Sequence, residues 1–294
     1  KEREGSSMFV EVGKEIRVED LLRGIIIQSG NDACIVVAEE IAGSEDAFAI
    51  IMNDLANDIG LMNTNFTNST GMFHEDNYST VYDIALLSRY LINNFPNYYH
   101  LFAETEFEWS GIKQKNRNPL LYKELGADGL KTGHLSASGY GLAASAVQDG
   151  RRLISVTNGF SSSKKRSQGS ARLLTWGFRE FTNINIGQTG EVFSEIKIPL
   201  ANKMVQVTPS KNIKVTVSKA KKDKIIQNIR VAQNISAPLP AGSVVATLEI
   251  ILSDEEKVNF DLETVSEVQK TGIIGRFFSF IINLFTSLFS IIFS

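Results

Sequence analysis

The sequence contains a single cysteine, Cys34, among 294 residues, and its three histidines have no ligand-like spacing. One thiol cannot close an intrachain disulfide, and zinc sites built on several cysteines are excluded, so no metal or cofactor is expected. Charge of one sign is also lacking. Thirty basic residues stand against 33 acidic ones, a net charge of −3, which leaves no concentrated positive surface for nucleic acid. Nor is a targeting signal readable: Lys1 to Gly5 is polar, with no initiator methionine and no apolar stretch behind it. What is present is ordinary globular material, 43% hydrophobic and 21% charged, in a length that suits two domains.

From Glu19 to about Thr182 the pattern mixes helix and strand. An apolar helix is expected over Asn31 to Ile41, ending at Gly43. Ser44 then caps a second helix with Phe48, Ile51, Met52, Leu55 and Ile59 at helical spacing. Thr80 and Asp83 have capping-box-like spacing ahead of Ile84, Leu87 and Leu91, and Pro96 closes that helix. Gly129 to His134, Gly139 to Val147 and Arg152 to Asn158 read as strands joined by hairpin turns at Ser138-Gly139 and Asp149-Gly150. Leu173 to Phe178 reads as a helix covering that sheet. Past Asn185, β-branched runs at Ile213 to Val217, Ile229 to Ala232 and Val244 to Leu252 predict a small all-β module. The lysines between Lys219 and Lys224 read as solvated loop charge.

The segment from Ile273 to Ser294 is almost wholly apolar or small, with Arg276 its only charge. On a helix, Arg276, Ser279, Asn283, Thr286, Ser287, Ser290 and Ser294 fall within about 100° of one another. That predicts an amphipathic helix lying in a membrane interface and attached by apolar burial. A spanning helix is disfavoured, because a continuous hydroxyl stripe does not suit lipid on all sides.

Two short motifs carry chemistry when taken together. Ser29-Gly30-Asn31 follows an apolar run and opens the Cys34 helix. About a hundred residues later, Lys131-Thr132-Gly133 sits on the first strand of the hairpin set, after Asp128-Gly129. Taken singly, Asn31 reads as a helix N-cap, Lys131 as a solvated strand residue, and Cys34 as a small buried apolar residue. Together, the motifs resemble the Ser-x-Asn and Lys-Thr-Gly elements of the penicillin-binding serine acyltransferases. Within that superfamily the sequence is similar to the low-molecular-weight D-alanyl-D-alanine carboxypeptidases of the penicillin-binding protein 5 type, peptidase family S11. Leu22-Arg23-Gly24, Asn116-Arg117-Asn118, His134, Arg152-Leu153-Ile154 and Leu173 to Phe178 share in the resemblance, as do the β module and the terminal segment.

The resemblance implies an α/β (α+β) serine β-lactamase/transpeptidase-like domain over residues 1–182, incomplete at its N-terminus. A β-rich domain follows over 183–268, then an amphipathic helix over 269–294. It also implies removal of the terminal D-alanine from peptidoglycan stem peptides through an acyl-serine, and covalent inhibition by β-lactams. The protein would be exported and held peripherally on the outer, periplasmic face of the bacterial cytoplasmic membrane.

Ser29 would relay a proton to the leaving nitrogen, with the Lys131 ammonium holding it in register. Asn31 would fix a substrate amide, because its carboxamide accepts and donates at once. Thr132 lies on a strand whose edge can pair with an extended peptide, and Gly133 permits close approach. By resemblance alone, the His134 backbone N–H serves as an oxyanion donor and Arg166 reads the substrate carboxylate.

The family's Ser-x-x-Lys pair has no counterpart in the 28 residues ahead of Ser29. Ser110/Lys113, Ser161/Lys164, Ser162/Lys165 and Ser218/Lys221 match the bare spacing, but none opens an apolar helix upstream. The chain is therefore expected to lack its nucleophile and base and to be inactive alone. A class A β-lactamase is disfavoured because no Glu-x-x-Leu-Asn stretch lies between Asn31 and Lys131. A D,D-endopeptidase of the same superfamily and a non-catalytic, membrane-attached wall-binding protein stay open.

Overall fold

A computed structural model describes residues 5–252 and 256–272. Its chain divides into two compact units, 1–179 and 180–294. The terminal segment expected to form a membrane helix lies outside the described residues. Among the described residues, no helix is long and apolar enough to cross a membrane.

The first unit opens with α1 (Val18–Arg23), which runs into a π-helical turn over Gly24–Gln28. Helices α2 (Asn31–Ala42) and α3 (Glu45–Asp58) follow, separated where Gly43 takes φ +78° and the Ser44 hydroxyl accepts from Ala47 N. Gly43 and Ser44 thus act as the expected stop and start signals. The apolar stripe of α3 is less buried than its spacing implies. Ala49 and Ala56 are the buried positions, while Ile51 and Leu55 remain 46% and 43% exposed. These two alanines form the buried contact of α3, which leaves the larger side chains beside them at the surface.

Helix α4 (Val81–Asn94) has half of its expected capping box. The Thr80 hydroxyl accepts from Asp83 N, but the buried Asp83 carboxylate turns away to accept from Asn63 N and the Thr64 hydroxyl, both at 2.8 Å. Two unmet donors in the preceding loop outcompete the helix's own terminus.

A short α5 (Pro96–Tyr99) and a 3₁₀ turn over His100–Ala103 lead to a hairpin that the sequence pattern does not announce, β1 (Glu106–Trp109) and β2 (Ile112–Lys115). Next come β3 (Ala127–Leu135), β4 (Gly139–Gln148) and β5 (Arg151–Phe160), an antiparallel sheet in that order, so β3 is an edge among the described residues. Helix α6 (Ser163–Glu180) is longer than predicted and seats Leu174 against Leu120, Leu142, Ala144 and Ala146.

One polar network anchors the start of β3. Asp128 accepts from Tyr99 Oη at 2.9 Å and from the Arg152 guanidinium at 2.7 Å, and that guanidinium lies 5.0 Å from the centre of the Tyr99 ring. Burial first, and the adjacent Asp128 carboxylate after it, push the Tyr99 phenol upward, so it remains a hydrogen-bond donor at neutral pH.

The second unit contains β6 (Phe181–Gly187), β7 (Ser194–Ile196), β8 (Val205–Pro209), β9 (Ile213–Ser218), β10 (Ile226–Val231), β11 (Val244–Ile251) and β12 (Lys257–Thr264). Five strands form a sheet ordered β10-β11-β12-β8-β7, and β6 pairs with β9. Lys219–Lys224 is an exposed 3₁₀ turn, consistent with solvated charge. Alternation is clear in β9, where Ile213, Val215 and Val217 point inward and Lys214 and Thr216 outward. Strand β11 instead buries residues of both faces, Val245, Ala246, Leu248 and Ile250 together with Glu249, whose carboxylate accepts from the Arg230 guanidinium of β10 at 2.9 Å. Among the described residues, fourteen buried side chains join in one cluster here, whereas those of the first unit fall into three smaller clusters. Leu248, fully buried on β11, should therefore cost roughly 2–5 kcal/mol when cut to alanine. Ile226→Ala on edge strand β10, where the side chain is 54% exposed, should cost less than about 1 kcal/mol. Urea denaturation followed by circular dichroism checks both.

Candidate active site

Ser29 is set by the turn that precedes it. Residues Gly24–Gln28 wind as a π-helix, and Ser29 ends it in the left-handed region at φ 58°, with Gly30 N donating back to Gly24 O at 3.0 Å. A non-glycine residue is strained there by an amount of order 1 kcal/mol, and π-turns recur at functional positions. Gly24 is needed for packing, since a Cβ would lie 2.2 Å from the sulfur of the fully buried Met8.

From the edge strand, 102 positions later, Lys131 Nζ donates to Ser29 Oγ at 2.7 Å and to its neighbour's carbonyl, Thr132 O, at 3.0 Å. The two motifs therefore meet directly. Because Nζ occupies a lone pair of Oγ, the serine's own proton is free to point elsewhere.

Burial lowers the Lys131 ammonium to about 8, and the charge of Arg117 adds to the effect. The nearby Cys34 acts in the opposite sense, and Arg166 lowers it slightly further. The group thus sits close to neutrality between donor and acceptor forms, as proton-transfer residues require. Burial pushes the Cys34 thiol up to about 11, against the pull of Lys131, so Cys34 is an un-ionised thiol rather than a nucleophile at neutral pH.

Asn31 begins α2 two residues after Ser29, with Gly30 as the N-cap, so the capping role does not fall to Asn31. Its backbone N–H donates to Ser6 O at 2.8 Å. The Ser6 hydroxyl in turn accepts from the Arg117 guanidinium.

On the other side, Arg166 is a buried residue of α6, not a surface arginine. It donates to Gly133 O at 3.4 Å and lies 5.7 Å from the ring centre of Tyr140, and its Nε has no partner among the described residues. Burial lowers its pKa, partly offset by Tyr140. The His134 ring is exposed and stacks on Tyr140 at 3.8 Å, across the β3–β4 register. Nothing among the described residues lies within 4 Å of where a Gly133 Cβ would project, so the space beside this glycine is open for a ligand.

Lys131, Thr132 and Gly133 form one margin of a cavity of about 710 Å³. Its walls are mostly apolar, with Ile84, Leu87 and Leu91 of α4 facing Leu130, Leu142 and Val156 of the sheet.

The sequence alone gives Arg117 and Tyr140 no role. For Tyr140 a readable signal exists: the Ser138-Gly139 turn sets it opposite His134. For Arg117 there is only its motif, because its charge reaches Lys131 through tertiary packing.

The D-alanyl-D-alanine carboxypeptidase family matches residues 1–161, and the C-terminal domain of penicillin-binding protein 5 matches residues 181–270. D-alanyl-D-alanine carboxypeptidase DacA of Escherichia coli strain K12 is 36% identical over 281 residues, covering 94% of this chain and 70% of the relative. The structure of penicillin-binding protein 5 from Haemophilus influenzae superposes with a TM-score of 0.82 at 34% identity, over 91% of this chain and 79% of that one. Penicillin-binding protein D2 from Listeria monocytogenes, solved in its ampicillin-bound form, aligns with a TM-score of 0.55 at 28% identity, over 60% of this chain and 74% of that one.

The lowered pKa of Lys131 has a consequence for stability. Its folded value of about 8 lies below the unfolded value of roughly 10.4, so the penalty of burying the ammonium is complete below 8 and disappears as pH approaches the unfolded value. Lys131→Met should stabilise the chain at pH 7 by roughly 1–3 kcal/mol, with the gain fading as pH rises. Arg117→Ala should raise the Lys131 midpoint. Denaturation at several pH values and an NMR titration of the Lys131 side chain test the two statements.

Proposed function

Because this chain belongs to the D-alanyl-D-alanine carboxypeptidase family, peptidase family S11, we propose that it forms the substrate-binding and proton-relay side of a serine carboxypeptidase site. The substrate is a peptidoglycan stem peptide ending in D-alanyl-D-alanine. The observation that carries this reading is the contact of Lys131 Nζ with Ser29 Oγ beside an open sheet edge.

In the reaction, a serine oxygen attacks the penultimate D-alanine carbonyl and gives its proton to the lysine of its own Ser-x-x-Lys pair. The C–N bond then breaks, and terminal D-alanine leaves as an amine once it has gained a proton. Ser29 passes that proton from its hydroxyl to the leaving nitrogen and is replenished from Lys131 Nζ. The Asn31 carboxamide holds the substrate's backbone amide, and the peptide lies along β3 beside Thr132, where Gly133 leaves room for it. The His134 N–H donates to the developing oxyanion. Arg166, buried with an open Nε, is suited to the product-side carboxylate. Water then hydrolyses the ester: the lysine of the pair returns its proton to the serine, and the water's proton restores Lys131. A β-lactam follows the first half of this path: its ring amide acylates the serine, and its own carboxylate takes the place of the peptide's.

The attacking serine belongs to a Ser-x-x-Lys pair that this sequence does not supply. Of the four spacing matches, Ser110 is in the β1–β2 turn, and the Ser162 hydroxyl accepts from Lys165 N at the start of α6. Ser161 adjoins that same helix start, and Ser218 ends β9 in the other unit. Among the described contacts, none is paired through its hydroxyl to Lys131. The apolar cavity beside Lys131 supports the same reading, because finished protein cores leave few voids larger than a water. An apolar helix carrying the serine and lysine would fill it. The terminal segment 273–294 would hold the exported protein on the outer face of the cytoplasmic membrane.

Fluorescent penicillin tests this directly. The chain alone should stay unlabelled, and a polypeptide extended upstream by a Ser-x-x-Lys helix should label. In that extended protein, Ser29→Ala or Lys131→Ala should lower D-alanine release by roughly 10²–10⁴-fold. Labelling of the chain alone would assign the nucleophile to one of its own serines, and unchanged turnover in the variants would remove the roles of Ser29 and Lys131.

A further inference from the structure

The carboxylate of Asp32 performs a task that none of the chemistry above uses. It lies in the first turn of α2, next to Asn31, and faces back toward an extended strap formed by residues 5–10. Its Oδ2 accepts from the Ser7 hydroxyl at 2.7 Å and from Val10 N at 2.9 Å, while its Oδ1 accepts from Met8 N at 2.8 Å. The Ser7 hydroxyl also accepts from Phe9 N at 2.9 Å, which lets Phe9 turn through a left-handed φ of 65°. One acidic side chain thus gathers polar groups of three strap residues, Ser7, Met8 and Val10, and holds Phe9 N indirectly through the Ser7 hydroxyl. Burial works to raise its pKa, but the Met8, Val10 and Ser7 donors outweigh it and hold the carboxyl below its ordinary value.

The strap in turn bounds Asn31. Ser6 O accepts from Asn31 N at 2.8 Å, and the Ser6 hydroxyl receives the Arg117 guanidinium. Gly5, at φ 102°, runs so close that a Cβ there would come within 2.5 Å of Asn31 Nδ2. Gly30 is equally tight, with a Cβ falling 2.9 Å from both Met8 N and Asp32 Oδ1. The carboxamide of Asn31 therefore has the strap's backbone as a wall, and the place of that wall is set by Asp32.

We propose that Asp32 is a positioning residue, which fixes the Asn31 carboxamide and the Arg117 guanidinium by tying the 5–10 strap across the start of α2. This deepens the reading of Asn31 as a substrate contact and rests on it, but the placement can be measured without substrate. Asp32→Asn keeps the shape and one acceptor, yet in either amide orientation its donor NH₂ opposes a strap N–H, that of Met8 or that of Val10.

In ¹⁵N NMR of the whole chain, Asp32→Asn should speed hydrogen exchange at Asn31 N–H by about tenfold and shift the Asn31 side-chain amide pair. The amides of Ala38 to Ala42, at the far end of the same helix, should hold their rates. Ser7→Ala, a milder change that removes one of the three bonds to the carboxylate, should move the same signals in the same direction by less. If Asn31 keeps its exchange rate and side-chain shifts in both variants, or if all of α2 loosens in step, Asp32 is a helix-stabilising residue and the proposal fails. That failure would leave the carboxypeptidase reading intact, because the reading is tested by penicillin labelling and not by these signals.

Discussion

The contact between Lys131 Nζ and Ser29 Oγ is the constraint around which the candidate site of the first unit is arranged. Its 2.7 Å length requires an edge strand and a helix start to converge from positions 102 residues apart. Each side is held by separate means. Ser29 is presented by a π-helical turn in a strained left-handed conformation, and Lys131 by a strand anchored three residues earlier through Asp128, Arg152 and Tyr99. A buried ammonium on a hydroxyl is unfavourable for folding and useful for proton transfer, because desolvation lowers the barrier to giving the proton up.

The surrounding charges sharpen that balance. Arg117 and Arg166 both depress Lys131, and each is itself partly withdrawn from water. Three cations share one region without a carboxylate bonded to Lys131 among the described contacts, so the local potential is positive. The Arg166 guanidinium lies 5.7 Å from the centre of the Tyr140 ring, on which His134 also stacks.

Core architecture separates the two units. In the β unit one continuous cluster fills the space between strands, as its near-unbroken β-branched runs predict. In the other unit the described buried apolar residues form three small clusters, and at the margin of the mostly apolar cavity Phe73 and Val81 stay 68% and 52% exposed.

Much of this architecture is legible in the amino-acid order. Gly43-Ser44, Thr80 and Pro96 mark the helix limits because capping and φ restrictions are local. Ser138-Gly139 and Asp149-Gly150 mark the hairpins because turn chemistry is local too. The strands β7, β8 and β12 and the β1–β2 hairpin are not legible, since short or strongly polar strands carry weak periodicity and are stabilised by partners distant in sequence. The same division holds within the site. The residue types at Ser29, Asn31 and Lys131 and their membership in two motifs can be read from the chain alone, whereas Arg166 is pointed to only by resemblance. The burial of Arg166, the charge of Arg117 near Lys131 and the strap tied by Asp32 are decided by tertiary packing, because desolvation and Coulomb interactions depend on distance through space rather than along the chain.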